Sequence, residues 1–246
     1  MELSQKVVVI TGGAKGLGAA IGQVCRAHGA RVVVIDRDIA HEANRDTQED
    51  SGTSSYTVYF AGDVTDEVQL KVVAGNIVTK FGAIDIWINN AGVWMPPVPV
   101  VDIDIAKARN LFNVNVFGTI HGTRAAVGVM EKVGKGTIVN IISTTAFDGM
   151  NGSSGSMYVT SKYALRGFTN VIREELSPKG INVIGVYPGG MKTDIFNEAK
   201  PNNINDFMPA SDVADRIVNN LESAQPESQL IIPRQGQKIN PAILAG

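Results

Sequence analysis

Short runs of consecutive aliphatic residues, most of them β-branched, alternate along this chain with longer stretches that suit helices. Residues 7–10 and 32–35 both read Val-Val-Val-Ile. A strand with one wet face alternates apolar and polar side chains, whereas a run that is apolar throughout has to be covered on both faces. Helices laid over both sides of a parallel sheet meet that demand and supply the long crossovers that parallel strands need. Strands are predicted at 6–11, 31–35, 56–60, 84–88, 136–142, 181–186 and 229–232, with helices at 16–28, 66–81, 106–133, 157–176 and 212–223. The pattern predicts an α/β fold, a doubly wound parallel sheet of about seven strands with right-handed crossovers.

The 246 residues are 44% hydrophobic and 19% charged, enough apolar material for one large core and too little charge for a disordered chain. No linker, charge block or repeat divides the chain, so a single domain over residues 1–246 is expected. With 22 Lys and Arg against 24 Asp and Glu, the net charge of −2 gives no general attraction to nucleic acid. No apolar run nears the roughly 20 residues that span a bilayer, so no membrane partner is expected. The four apolar residues 7–10 are too few for a signal-peptide core. One cysteine, Cys25, rules out an internal disulfide and is expected to be a buried structural thiol in a reducing, cytoplasmic setting. His28, His41 and His121 lack metal-ligand spacing, and no metal is expected.

The first predicted strand runs into Gly12-Gly13-Ala14-Lys15-Gly16-Leu17-Gly18 and then into a helix. Glycines allow a tight turn and let a large anion approach the backbone, and the helix start offers free N–H groups to phosphate. The spacing is Gly-x3-Gly-x-Gly, and Lys15 precedes Gly16 with no Ser or Thr behind it, so this is not a nucleoside-triphosphate loop. Asp36 ends the second strand, 18 residues after Gly18. A carboxylate there accepts hydrogen bonds from a ribose and repels a 2′-phosphate, which favours NAD over NADP. Lys15 and Arg37 are the side chains placed to meet a 2′-phosphate, so NADP stands as the second cofactor.

Tyr158 and Lys162 are four apart in a predicted helix and share one face. An ammonium beside a phenol favours the phenolate, so Lys162 is expected to lower the pKa of Tyr158 and fit it for proton exchange with an alcohol or carbonyl oxygen. Ser143 follows the strand at 136–142, at the strand end where open α/β sheets place ligands. Without a Gly-x-Ser-x-Gly elbow it is no hydrolase nucleophile. Ser143, Tyr158 and Lys162 make an acid–base constellation, and the glycine turn provides a place for a hydride carrier.

These residues resemble the short-chain dehydrogenase/reductase family over nearly the whole chain. The resemblance rests on Thr11-Gly12-x3-Gly16-x-Gly18, Asp63-Val64, Asn89-Asn90-Ala91-Gly92, Asn115 in Asn-Val-Phe-Gly, Ser143 after Ile-Val-Asn-Ile-Ile, Tyr158-x3-Lys162, and Pro188-Gly189 with Thr193 beyond. It implies a Rossmann-type domain that interconverts a secondary alcohol and a ketone with NAD(P). By the same resemblance Tyr158 is the general acid or base. Lys162 tunes Tyr158 and binds the nicotinamide ribose, and Ser143 polarises the substrate carbonyl. Asn115 holds a water that relays protons. Asp63 and Val64 hold the adenine. Asn90, Ala91 and Gly92 form a structural segment against the cofactor, and Gly189, Met191 and Thr193 orient the carboxamide. Leu17, within the turn, joins the cofactor contacts.

Ser143 and Tyr158 are 15 apart where the family usually has about 13, which predicts an enlarged loop at 149–156 and a reshaped pocket. The polar, proline-bearing segment 197–209 is a lid candidate. Trp94, Met95, Phe147, Met150, Met157, Phe196 and Phe207 are candidate pocket residues, predicting a small, partly apolar alcohol or ketone as the substrate. The helices at 106–133 and from 157 carry small and apolar residues on more than one face, and the resemblance then implies a homotetramer or homodimer. Two other readings stand beside this one. One is a 3-oxoacyl-carrier-protein reductase using NADPH, with Lys15, Arg37, Lys192 and Lys200 facing the carrier. The other is a nucleotide-binding sensor without activity, which the presence of Asn115, Ser143, Tyr158 and Lys162 argues against.

Overall fold

The computed structural model describes residues 2–39, 56–147, 155–196, 199–201 and 203–237. Its strands are β1 (Val7–Thr11), β2 (Arg31–Asp36), β3 (Thr57–Ala61), β4 (Ile86–Asn89), β5 (Gly136–Ile141), β6 (Ile181–Pro188) and β7 (Gln229–Ile232). They form one sheet in the order β3-β2-β1-β4-β5-β6-β7, and every neighbouring pair is parallel. The helices are α1 (Gly16–Ala27), α2 (Glu67–Phe81), α3 (Ile105–Phe112), α4 (Gly118–Met130), α5 (Ser156–Leu176) and α6 (Ala210–Glu222).

The consecutive apolar runs are explained by the two cores. Val8, Ile10, Val32 and Val34 point to one side, where they pack with Ile21 and Cys25 of α1 and Val213, Ile217 and Leu221 of α6. The alternate residues Val7, Val9, Val33 and Ile35 point to the other, against Leu70, Val73 and Ile77 of α2, Ala125 and Met130 of α4, and Ile172 and Leu176 of α5. At about 1.5–3 kcal/mol per fully buried aliphatic side chain, both faces of each strand contribute to stability.

The predicted strands and helices are all present, with one break. The helix expected over 106–133 is two helices, joined by a π-helical turn at Asn113–Phe117 that contains Asn115. Strand order reverses between β1 and β4, so the helices that follow these two strands pack on opposite faces of the sheet, the arrangement that leaves a crevice at its carboxyl edge. The glycine turn and the Asn90–Gly92 segment meet there.

Candidate active site

The glycine turn is built for close approach. Gly12 has φ +63, and a Cβ on it would come within 2.7 Å of the Ala91 Cα. A Cβ on Gly18 would meet the Asn90 amide nitrogen at 2.5 Å and the Gly13 Cα at 2.8 Å. The Asn90 side chain donates to the carbonyls of Thr11 at 3.0 Å and Gly12 at 2.8 Å. The Thr11 hydroxyl accepts from the backbone N–H groups of Asn90 and Ala91 at 3.1 and 3.2 Å. The turn after β1 is thus stitched to the turn after β4. Helix α1 starts after Lys15 with no side-chain cap and no acidic residue in its first turn. By contrast α2 and α3 are closed by Asp66 and Asp104. Uncapped N–H groups at a glycine turn fit the diphosphate of a dinucleotide. Leu17 is buried beneath the turn, and Lys15 is exposed beside it.

Asp36 closes β2 with its carboxylate on the turn. One oxygen accepts from the Ala14 N–H and the other from the Asp38 N–H, each at 3.1 Å. Each oxygen keeps a second lone pair for a ribose hydroxyl. Arg37 is exposed and lies 3.8 Å from Asp38. Asp63 accepts from the backbone and hydroxyl of Thr65, both at 2.8 Å. The backbone bond from Thr65 first, and the Arg37 charge with it, hold its carboxyl below the usual range against a desolvation cost. Val64 is buried against Gly118, and its carbonyl is 3.0 Å from Nδ1 of His121.

Ser143, Tyr158 and Lys162 are brought together by β5 and α5. The Ser143 Oγ accepts from the Thr145 N–H at 3.2 Å and the Thr145 hydroxyl at 3.0 Å, which leaves its own hydrogen to donate. The Ser143 side chain favours the ionised form of the Tyr158 hydroxyl. Lys162 is buried, donates to the Ile141 carbonyl at 3.4 Å and lies 5.5 Å from the centre of the Tyr158 ring. The expectation that the ammonium lowers the tyrosine is not met. Burial pushes the Tyr158 phenol up to about 12, and what draws it back is the Ser143 side chain. Burial likewise brings Lys162 down to about 8. Desolvation is the largest cause for both groups, because burial takes each charged form out of water.

Asn115 holds structure with its whole side chain. Its amide donates to the Val93 carbonyl at 2.9 Å, and its oxygen accepts from the Val93 N–H at 2.8 Å. The same amide reaches Ser161 Oγ at 3.3 Å, and Ser161 donates to the Tyr158 carbonyl at 2.7 Å. Asn115 therefore ties the segment after Gly92 to the base of the tyrosine helix.

At the end of β6, Pro188 and Gly189 are buried, and Met191 pairs with Met208 in an isolated bridge. Thr193 faces the glycine turn, 3.6 Å from where a Gly16 Cβ would stand. Trp94, Phe196 and Phe207 form an aromatic row, with ring centres 5.1 and 5.6 Å apart. Met95 and Met157 pack in the cluster that includes Tyr158. Phe147 is a correction: it is buried 4.5 Å from the Tyr187 ring, under the Arg166 guanidinium, and belongs to the core. Met150, His41 and most of the loop at 149–156 lie outside the described residues, as do positions 197, 198 and 202 of the lid candidate. Cys25 is fully buried, and burial pushes its thiol up to about 12.

Three features escaped the sequence reading. Thr11 acts as the clasp between the two turns. Asn89, Asn140, Thr123 and Thr169 form a buried polar chain joining β4 and β5 to α4 and α5. Gln237 reaches back from beyond β7 to Thr144, next to Ser143. Thr11 and Asn89 carried a signal only as members of the glycine-turn and Asn-Asn-Ala-Gly motifs; the others depend on partners far away in sequence. Among the described residues no group of three or more His, Cys, Asp or Glu converges as metal ligands, and no helix is long and apolar enough to cross a membrane.

The family model described as short chain dehydrogenase matches residues 6–204. Trans-4-hydroxycyclohexanecarboxylate dehydrogenase of Sinomonas cyclohexanicum is 32% identical over 198 residues, 78% of this chain and 74% of that one. (+)-Borneol dehydrogenase 2 of Salvia officinalis is 34% identical over 196 residues, 79% of this chain and 68% of that one. The solved structure of a short chain dehydrogenase/reductase from Burkholderia phymatum, in complex with NAD, shares the fold. Its TM-score is 0.81 at 24% identity, covering 100% of this chain and 92% of that one. The protein belongs to the short-chain dehydrogenase/reductase family, oxidoreductases that act on CH–OH groups with NAD(P).

Proposed function

We propose that this protein is an NAD-preferring dehydrogenase of cyclic, largely apolar secondary alcohols, able to run in reverse as a ketone reductase. The observation that carries the reading is the convergence of Ser143, Tyr158 and Lys162 beside the buried Pro188–Gly189 turn and the uncapped start of α1. The glycine turn and Asp36 would hold the dinucleotide, with Asp63 and Val64 at the adenine and Gly189, Met191 and Thr193 at the carboxamide. When bound, the cofactor supplies or accepts the hydride.

The protein's own part is the proton. With its pKa near 12, Tyr158 carries its proton at neutral pH and is ready to give it to a ketone oxygen. Ser143, already accepting two bonds from Thr145, donates its hydrogen to the same oxygen. Once Tyr158 has given up its proton it is a phenolate, and Lys162, mostly charged below pH 8, lies 5.5 Å from its ring centre. In the oxidative direction that phenolate takes the alcohol proton. Asn115 fixes Val93 and the start of α5, and so the distance between the wall of the pocket and the tyrosine.

Trp94, Phe196 and Phe207 support an apolar, ring-bearing substrate, in line with the cyclic alcohols named for two relatives. Exposed Ile105, Phe117 and Val171, on or beside α3, α4 and α5, support a homotetramer or homodimer formed through those helices. A sole, buried cysteine is compatible with the cytoplasm.

The test is Tyr158→Phe, assayed with NAD and a panel of cyclic secondary alcohols. Turnover should fall about 10²–10⁴-fold, the usual worth of a positioned acid or base. NADH affinity should stay within twofold of the parent. Full turnover by the variant would sink the mechanism.

A further inference from the structure

Beyond β7 the chain turns back on the active site. The Gln237 N–H donates to the Arg234 carbonyl at 3.0 Å, and its side-chain oxygen accepts from the Arg234 N–H at 3.3 Å. The side-chain amide then donates to the Thr144 hydroxyl at 2.9 Å, and Thr144 donates onward to the Pro188 carbonyl at 3.5 Å. Thr144 immediately follows Ser143, and Pro188 immediately precedes Gly189. The Gly189 N–H donates to the Ile232 carbonyl at 2.9 Å. A Cβ on Gly189 would come within 2.6 Å of the Gln237 oxygen and 2.9 Å of the Arg234 nitrogen.

Gly189 therefore sits flush against this turn, and one hydroxyl joins the serine loop to the end of β6. A threonine hydroxyl has a single hydrogen. Because Gln237 supplies a donor, that hydrogen is directed away from Gln237 and toward Pro188. We infer that Gln237 is a positioning residue for the reaction. Through Thr144 it sets the Pro188–Gly189 turn against Ser143, and so fixes where the nicotinamide end of the cofactor lies relative to the serine. The inference rests on the dinucleotide reading above, and it concerns the nicotinamide half alone.

The test compares two ligands, NADH and ADP-ribose, which share the adenosine and diphosphate but differ in the nicotinamide. In Gln237→Met the affinity for NADH should fall about 3–10-fold, the range of one hydrogen bond. Affinity for ADP-ribose should be unchanged. Gln237→Glu keeps the acceptor for Arg234 but draws the Thr144 hydrogen to its own carboxylate, and should behave the same way. Adding Thr144→Val to Gln237→Met should weaken NADH binding no further, because both changes cut one chain of bonds. Should Gln237→Met not fold, Gln237→Glu and Thr144→Val are read by the same two affinities. Unchanged NADH binding, or an equal loss for both ligands, overturns the positioning role. A parent protein that binds neither ligand overturns the dinucleotide reading and this inference with it.

Discussion

Replacing Lys162 by Met should make the protein more stable while disabling it. The lysine is buried, and desolvation lowers its pKa from 10.5 to about 8. At about 1.36 kcal/mol per pH unit, keeping that ammonium charged at neutral pH costs roughly 3 kcal/mol. Its position 5.5 Å from the Tyr158 ring centre returns part of this, up to about 2 kcal/mol for a desolvated cation over an aromatic face. The long bond to Ile141, at 3.4 Å, adds little. Methionine keeps most of the volume without the charge, so the net gain should be about 1–2 kcal/mol, a rise of about 2–8 °C in Tm for a chain of this size. The sign carries a pH signature. The folded state sheds the lysine proton near pH 8, whereas the unfolded chain keeps it to about 10.5. The parent therefore gains stability as pH rises through that window, and Lys162→Met does not. Paired thermal melts at pH 7 and pH 9.5, at one protein concentration, should show a gap that closes at the higher pH. A variant that melts at or below the parent at pH 7, or a gap equal at both pH values, would refute the reasoning.

Asp36→Ala should raise NADPH affinity relative to NADH by about 10-fold or more, because it removes a like charge from the place of the 2′-phosphate. Separate fluorescence titrations with the two cofactors check it, and an unchanged ratio would mean that the carboxylate serves the Ala14 and Asp38 N–H groups alone. Asn140→Leu should cost about 2–4 kcal/mol, since it deprives both Asn89 and Thr169 of a buried partner. A urea midpoint within error of the parent would show that the polar chain carries no net stability.

The sheet was legible because its cause is local. A strand covered on both faces must be apolar at every position, and Val-Val-Val-Ile at 7–10 and 32–35 says so before any partner is known. The glycine turn and the strand-end positions of Asp36 and Ser143 were legible for the same reason, as each depends on its own backbone and its nearest neighbours. The break at Asn113–Phe117 was not, because the segment has no Gly or Pro to mark an interruption and what fixes the wider turn beside Asn115 is Val93, distant in sequence.

Chemistry separated from pattern at three points. Four-residue spacing placed Lys162 beside Tyr158, but the direction of both pKa values came from burial, which is a property of the packed whole. Phe147 looks like a pocket residue by its nearness to Ser143, yet the Tyr187 ring and Arg166 enclose it. Gln237 carries no motif at all and gains its place only when β7 returns the chain to Thr144. The sequence by itself determined the layers, the glycine turn and the placing of Tyr158 and Lys162 on one helix face, since periodicity and glycine conformation act over a few residues. The tertiary structure alone decided which of those side chains lose water and which distant backbone braces the site, since desolvation and long-range hydrogen bonds exist only once the chain has closed on itself.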